Sequence, residues 1–161
     1  MRIIIVATSI ILTSATLAAE PASDPIEQLR ALLPSQSHAM MDVEYNFTNL
    51  WFAARASNWP LATFYLNESR SHVQWTVRLR PVRKLASGAD LDLKPLQESF
   101  ERAGVDAIRA TLEKKDKKAF ESAYRNALGL CHACHIAAEK PFLHPDIPKQ
   151  PASRLIRMEP H

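Results

Sequence analysis

Apolar residues recur at three- and four-residue steps in four stretches of this chain, the spacing of helices that bury one face. Over residues 35–57, Met40, Val43, Phe47, Leu50 and Ala54 form one such stripe. Asn58 stands where a second helix would be capped, with Pro60 tolerated in its first turn. Leu61, Phe64, Leu66, Val73, Trp75 and Leu79 carry that helix to about Arg80, and Pro81 ends it. Residues 83–92 read as a connection centred on Gly88. Asp92 is expected to cap a third helix with Pro95 in its first turn and a stripe of Leu93, Leu96, Phe100, Ala103, Ala107 and Ala110. Asp116 opens a fourth, in which Phe120, Ala123, Ala127, Cys131, Cys134 and Ala138 share a face until Pro141 stops it. Short connections make successive helices antiparallel neighbours. The predicted fold is therefore all-α, an antiparallel up-down-up-down four-helix bundle with an extended C-terminal tail.

The ends of the chain read differently. Met1 and Arg2 begin a short positive stretch, Ile3 to Leu12 is apolar apart from Thr8 and Ser9, and small residues lead to Ala18-Ala19 before Glu20-Pro21. That is the layout of a bacterial secretory signal cleaved after Ala18 or Ala19. The alternative, an uncleaved anchor, needs about 20 apolar residues to cross a bilayer, more than this run supplies. The expected organisation is a signal peptide at 1–19, a lead-in at 20–34, the helical domain at 35–140 and a proline-rich extension at 141–161. In the extension, Phe142, Leu143, Leu155 and Ile156 suggest that it lies against the bundle, with a disordered tail as the alternative.

Composition narrows the class. Three glycines and 23% charged residues favour helices over sheets or disorder. A formal net charge of +3 makes no case for nucleic-acid binding. The cluster Lys114-Lys115-Asp116-Lys117-Lys118 reads as a solvated inter-helix turn before it reads as a docking patch. No Ser-His-Asp set, paired catalytic carboxylates or glycine-rich phosphate loop is evident, so nothing here argues for an enzyme.

The chemistry sits in Cys131-His132-Ala133-Cys134-His135, which contains both cysteines of the chain. Cys-x-x-Cys-His is the attachment signature of a c-type haem. Two thiols at this gap add across the vinyl groups as thioethers, and a neutral nitrogen of the adjoining imidazole binds iron. A thioredoxin-like redox pair would open a helix after a strand, whereas this run lies far along a helical pattern. Zinc held by Cys131, Cys134 and His135 or His144 lacks the second half of a zinc-knuckle spacing. A disulfide would ignore His135 and close almost no loop. Haem is the expected cofactor, one group covalently attached at Cys131 and Cys134, with His135 as the proximal ligand. Assembly of such a protein outside the cytoplasmic membrane agrees with the export signal.

A secreted four-helix bundle with Cys131-x-x-Cys134-His135 late in its last helix resembles the cytochrome c-prime family, the class II cytochromes c. The resemblance covers residues 35–140; the haem motif is specific and the rest matches by pattern. The chain departs from the family in its tail, in a second helix rich in aromatic and charged residues, and in Glu139-Lys140, where members often carry an arginine after the haem histidine.

On this topology the start of the first helix and the end of the fourth share one end of the bundle. His135 lies about five residues before the expected helix end, and Met40 about five residues into the first, each about 7 Å along its axis. Met40 is thus the expected distal ligand, in the region where low-spin relatives use a methionine. Five-coordinate relatives leave that face apolar, which would make Met40 core filler. Met41 lies about 100° around the helix, on the stripe with Tyr45, Thr48 and Phe52, and is the next candidate. His38 reads as a solvated or capping residue, and Met158 and His144 lie in the tail. His72 and Glu68 are spaced as a surface pair. Trp51, Trp59 and Trp75 read as packing residues, while Arg78, Arg80 and Arg83 read as a solvated face within reach of a haem propionate or a partner.

The expected role is periplasmic single-electron transfer between a redox donor and a redox acceptor, with no nucleic acid and no membrane span after signal cleavage. The resemblance allows a homodimer through the first two helices. A gas-binding haem protein for nitric oxide or carbon monoxide is the alternative. A third reading is an electron-accepting subunit that docks a dehydrogenase through its tail.

Overall fold

The computed structural model describes residues 24–160, so the expected signal peptide lies outside the described residues. The chain divides between Leu33 and Pro34 into two units. In the first, helix α1 spans Pro25–Leu32 within the expected lead-in, where periodicity predicted no helix. Its local logic is plain: the Asp24 carboxylate accepts from the Ile26 N–H, proline occupies the first turn and Glu27 follows.

The second unit is mostly helical. Helix α2 spans Gln36–Arg55, with Ser35 accepting from the His38 N–H as its cap. Helix α3 spans Trp59–Leu79, capped by Asn58 as the sequence predicts. The expected connection is a β-hairpin, β1 at Val82–Lys84 paired antiparallel with β2 at Asp90–Asp92 in the register Arg83 to Leu91. Gly88 supplies its turn with φ of +88°, a backbone conformation costly for a side chain. Asp92 accepts from the Lys94 N–H, one position earlier in the turn than a standard cap.

The third predicted helix is in three parts: α4 at Lys94–Phe100, a π turn at Glu101–Val105, and α5 at Asp106–Glu113. The wider turn advances the buried face. Ala103 and Ala110 are exposed, while Gly104, Val105, Ile108 and Leu112 follow Phe100 into the core. Gly104 permits this closeness, since a Cβ there would lie 3.2 Å from the Phe100 ring and 3.4 Å from the Ala127 side chain. The stripe predicted for α3 holds in part: Leu66 is buried and Leu61 and Val73 pack against the core, whereas Phe64 and Trp75 are exposed and Ala62, Tyr65, Ser69, Thr76 and Val77 are buried instead. The buried hydroxyls escaped a hydrophobic reading because they are satisfied within the helix, Ser69 donating to the Tyr65 carbonyl and Thr76 to that of His72.

Helix α6 spans Lys117–Ala137, capped by Asp116, and stops three residues short of the expected end at Lys140. Helix α2 packs along α3, and α5 packs on α3 and α6. Their shared core is aromatic. Phe47 stacks on Tyr124 with ring centres 4.5 Å apart, Trp51 meets Tyr124 at 4.9 Å and Phe120 at 5.8 Å, and the buried Tyr124 hydroxyl donates to the Phe47 carbonyl at 2.9 Å.

Residues 141–160 hold neither helix nor strand, and they lie on the helices. The attachment differs from the expected one. Leu155 is 95% exposed and Phe142 74%, whereas Ile147 packs on the core and Met158 is buried in it. Asn49, fully buried on α2, accepts from the Ala152 and Ser153 N–H groups, both at 3.0 Å.

Three helices end in the same way. Ser57, Lys115 and Glu139 adopt positive φ just past α2, α5 and α6, and the next N–H reaches back to the helix: Asn58 to Ala53, Asp116 to Thr111, Lys140 to His135. The expected solvated turn at residues 114–118 is the second of these and is exposed throughout. Replacing Lys115, held at φ of 54°, by glycine should stabilise the protein by about 1 kcal/mol, read as a higher denaturant midpoint at unchanged slope.

A second prediction concerns acid. Burial raises the Glu101 pKa, but this is outweighed by hydrogen bonds from Gln74 at 2.8 Å and Gln97 at 2.7 Å and by the charge of Arg70, so the carboxyl is held below its ordinary value. A lowered folded-state pKa contributes stability above the unfolded value and loses it as pH falls through the folded one. Glu101→Gln should therefore be less stable than wild type at neutral pH by under about 1 kcal/mol, the site being open to water. The difference should vanish at the acid end of a pH series of melting curves.

Candidate haem-attachment site

Helix α6 carries the Cys131–His135 run in its last two turns, above the aromatic core. Cys131 lies two turns beyond Tyr124 and packs against the core cluster. Both thiols are free and half-buried. Burial pushes the Cys131 thiol up to about 12, with Cys134 adding to the rise. Burial also raises the Cys134 thiol, against the opposing charge of Arg83. They are neutral thiols, three residues apart on one helix, with no disulfide between them.

The histidine is oriented by backbone. His135 Nδ1–H donates to the Leu143 carbonyl at 2.6 Å, which leaves Nε2 as the nitrogen with a free lone pair. His132 Nε2–H likewise donates to the Pro141 carbonyl at 3.1 Å, and its ring lies 4.1 Å from that of His144. Both carbonyls come from the chain just after α6, which the positive φ of Glu139 turns back along the helix. Pattern reading could not have found them, because a carbonyl is present whatever side chain it carries.

The β-hairpin and the start of α2 close the same end. Gln36 donates to the Arg80 carbonyl and accepts from Arg83 at 2.8 Å, and Arg83 acts electrostatically on Cys134. The Ser87 N–H donates to Glu139 at 3.0 Å, tying the hairpin turn to the end of α6. Arg83 is thus a placed charge, and the expectation of a merely solvated side chain is corrected for it. Met40, one turn beyond Gln36, is half-buried.

Of the other distal candidates, His144 lies against the run through its contact with His132. Met41 is 62% exposed, and the exposed His38 contributes its backbone N–H to the Ser35 cap. Met158 is buried beside Trp51, Phe52 and Arg55, where it helps line an open groove of about 640 Å³. A second groove of about 310 Å³ is lined by Gln74, Val77, Arg78, Pro81, Lys94 and Gln97. Neither groove includes a residue of the Cys131–His135 run. His72 lies 4.0 Å from Glu68, as its spacing predicts, and 3.8 Å from Asp42. Trp51 is a core residue, whereas Trp75 is exposed.

The residues present fit a covalently attached haem: two free cysteines three residues apart share a helix with an imidazole whose Nδ1 is engaged, and among the described residues no group of three or more His, Cys, Asp or Glu is arranged to hold a metal ion. Cys131 and Cys134 would hold the macrocycle, and Nε2 of His135 its iron.

The tie between hairpin and helix is open to test. The hydrogen bond from Ser87 holds the Glu139 carboxyl below its ordinary range. The Ser87 amide proton should accordingly follow a carboxylate titration centred below that of an ordinary glutamate, and it should lose that step in Glu139→Gln. Searches of protein-family models, of curated proteins and of solved structures found no match to this chain.

Proposed function

We propose that this chain is an exported monohaem c-type cytochrome, akin to the cytochromes c-prime, that passes single electrons between periplasmic partners. The observation that carries the reading is the Cys131–His135 run on one helix with His135 Nδ1 engaged by a carbonyl and Nε2 left for iron. Covalently bound haem supplies reversible one-electron chemistry at its iron. The chain's own part is to anchor it through Cys131 and Cys134, to present the His135 imidazole in one tautomer and to close the opposite face.

Met40 is the residue proposed for that face, and the core contacts support it. Moving from Phe47 to Trp51 along α2 matches moving back from Tyr124 to Phe120 along α6, as in antiparallel neighbours. Seven residues in the other direction from the Phe47–Tyr124 stack lead to Met40 on α2 and Cys131 on α6, each about 10.5 Å along its helix. The same reasoning favours the antiparallel four-helix bundle, with α2, α3, the α4-to-α5 segment and α6 as its members. The hydrogen bond between Gln36 and Arg83, with Arg83 acting on Cys134, supports a start of α2 near the proposed haem end. Arg83 is the side chain proposed to meet a propionate there. A thioether from Met40 would favour reduced iron, which suits electron transfer.

Optical spectra of the protein purified from a periplasm competent in haem attachment test this. The expected result is one covalent haem with a low-spin spectrum indifferent to carbon monoxide, which becomes high-spin in Met40→Ala. A high-spin wild-type spectrum that shifts with carbon monoxide would remove Met40 as ligand and establish the gas-binding alternative. A product whose mass lacks haem would reject both.

A further inference from the structure

Residues 141–160 are too firmly held to be a tail. The segment is secured at three levels: its first turn by the Leu143 N–H donating to the Lys140 carbonyl, its middle by Ile147 on the core, and its end by Asn49, Asn58 and the buried Met158. Asn49 is notable because it is fully buried and commits its carbonyl oxygen to two N–H groups of this segment. Its Nδ2 has no partner among the described residues, so the two N–H contacts are what compensates for burying an amide. Beyond Ile147 and Met158 its apolar side chains stay out of the core, since Phe142, Leu143, Leu155 and Ile156 all remain exposed. What it does deliver, at its start, are two carbonyls, each accepting from an imidazole of the Cys131–His135 run.

We infer that residues 141–160 form a strap that positions His135 and, through the Leu143 carbonyl, sets the iron's preference between oxidation states. The inference rests on the haem reading and goes beyond it. An imidazole that donates Nδ1–H to a carbonyl is fixed in one tautomer, and it becomes a stronger donor through Nε2. Stronger donation favours oxidised iron, so the strap lowers the reduction potential against the raising effect of the Met40 thioether. His135 is the ligand, and the Leu143 peptide group is a positioning element that acts through it.

The test compares the full chain with a chain ending at Lys140, with Asn49→Leu, which unhooks the strap at its far end, and with Leu155→Ala as a control at an exposed position. In the haem-free full chain at about pH 8, where imidazoles are neutral, nitrogen-15 shifts of the His135 ring should show the single Nδ1–H tautomer. The control should match it, and both strap variants should show a mixture. In the haem-loaded proteins the reduction potential should rise in the shortened chain and in Asn49→Leu while the haem stays covalently bound. Circular dichroism and melting curves separate this from loss of fold; if the shortened chain does not fold, Asn49→Leu carries the test. A His135 tautomer already mixed in the full chain would overturn the strap, as would a potential unmoved in the folded variants. Failure of the full chain to take up haem would overturn the haem reading and the strap's redox role with it, a result told apart from the other two by mass alone.

Discussion

Tyr124 is the side chain on which the arrangement of the helices depends. It is buried on α6, stacked on Phe47, in contact with Trp51 and Phe120, and bonded through its hydroxyl to the Phe47 carbonyl. Burial raises its pKa, so the phenol remains a proton donor and the bond persists across the usual pH range. A buried hydroxyl without that partner would cost about 1–3 kcal/mol, and a displaced ring would lose a comparable hydrophobic contribution. The register of α2 on α6 is therefore tightly specified. On the proposed antiparallel arrangement, Met40 on one helix and Cys131 on the other inherit it two turns away.

The proposed haem end is assembled from chain ends. The start of α2, the β-hairpin, the last turns of α6 and the segment after it all meet there, and they are joined by polar contacts: Gln36 with Arg83, Ser87 with Glu139, His132 with Pro141 and His135 with Leu143. Helix ends leave backbone groups without intrahelical partners, so contacts of this kind are readily formed there. Directional bonds of this kind suit the proposed task of holding one imidazole and one macrocycle in fixed orientation.

Scarcity of glycine shapes the connections. With three glycines in the chain, the left-handed positions that end α2, α5 and α6 fall to Ser57, Lys115 and Glu139. At Glu139 the strained residue also receives the Ser87 N–H, so the reversal that turns the chain back toward His135 is tied to the hairpin. Gly104 serves a different need, letting the π turn approach Phe100 and Ala127.

How much of this was legible in the sequence depends on whether the cause was local. The caps at Asn58 and Asp116, the break at Pro81, the turn at Gly88 and the Cys131–His135 run all follow from chemistry within a few residues, and a reading of the chain locates them. So does the stripe of α6, because no irregularity interrupts its period. Phases failed where a polar group or an extra residue intervened. Ser69 and Thr76 can be buried because their hydroxyls bond within α3, while Phe64 and Trp75 are exposed. The π turn advances the face of the α4-to-α5 segment, so that Ala103 and Ala110 give way to Val105 and Ile108. The seating of residues 141–160 was beyond reach for a deeper reason. Besides Ile147 and Met158, its anchors are backbone groups paired with Asn49, His132 and His135, and the backbone is the same whatever the side chains. By itself the sequence determined which residues form the Cys131–His135 motif of the proposed site and that they lie on a helix. Which carbonyl faces which imidazole was decided only by the tertiary structure, because those contacts join groups that no side-chain pattern distinguishes.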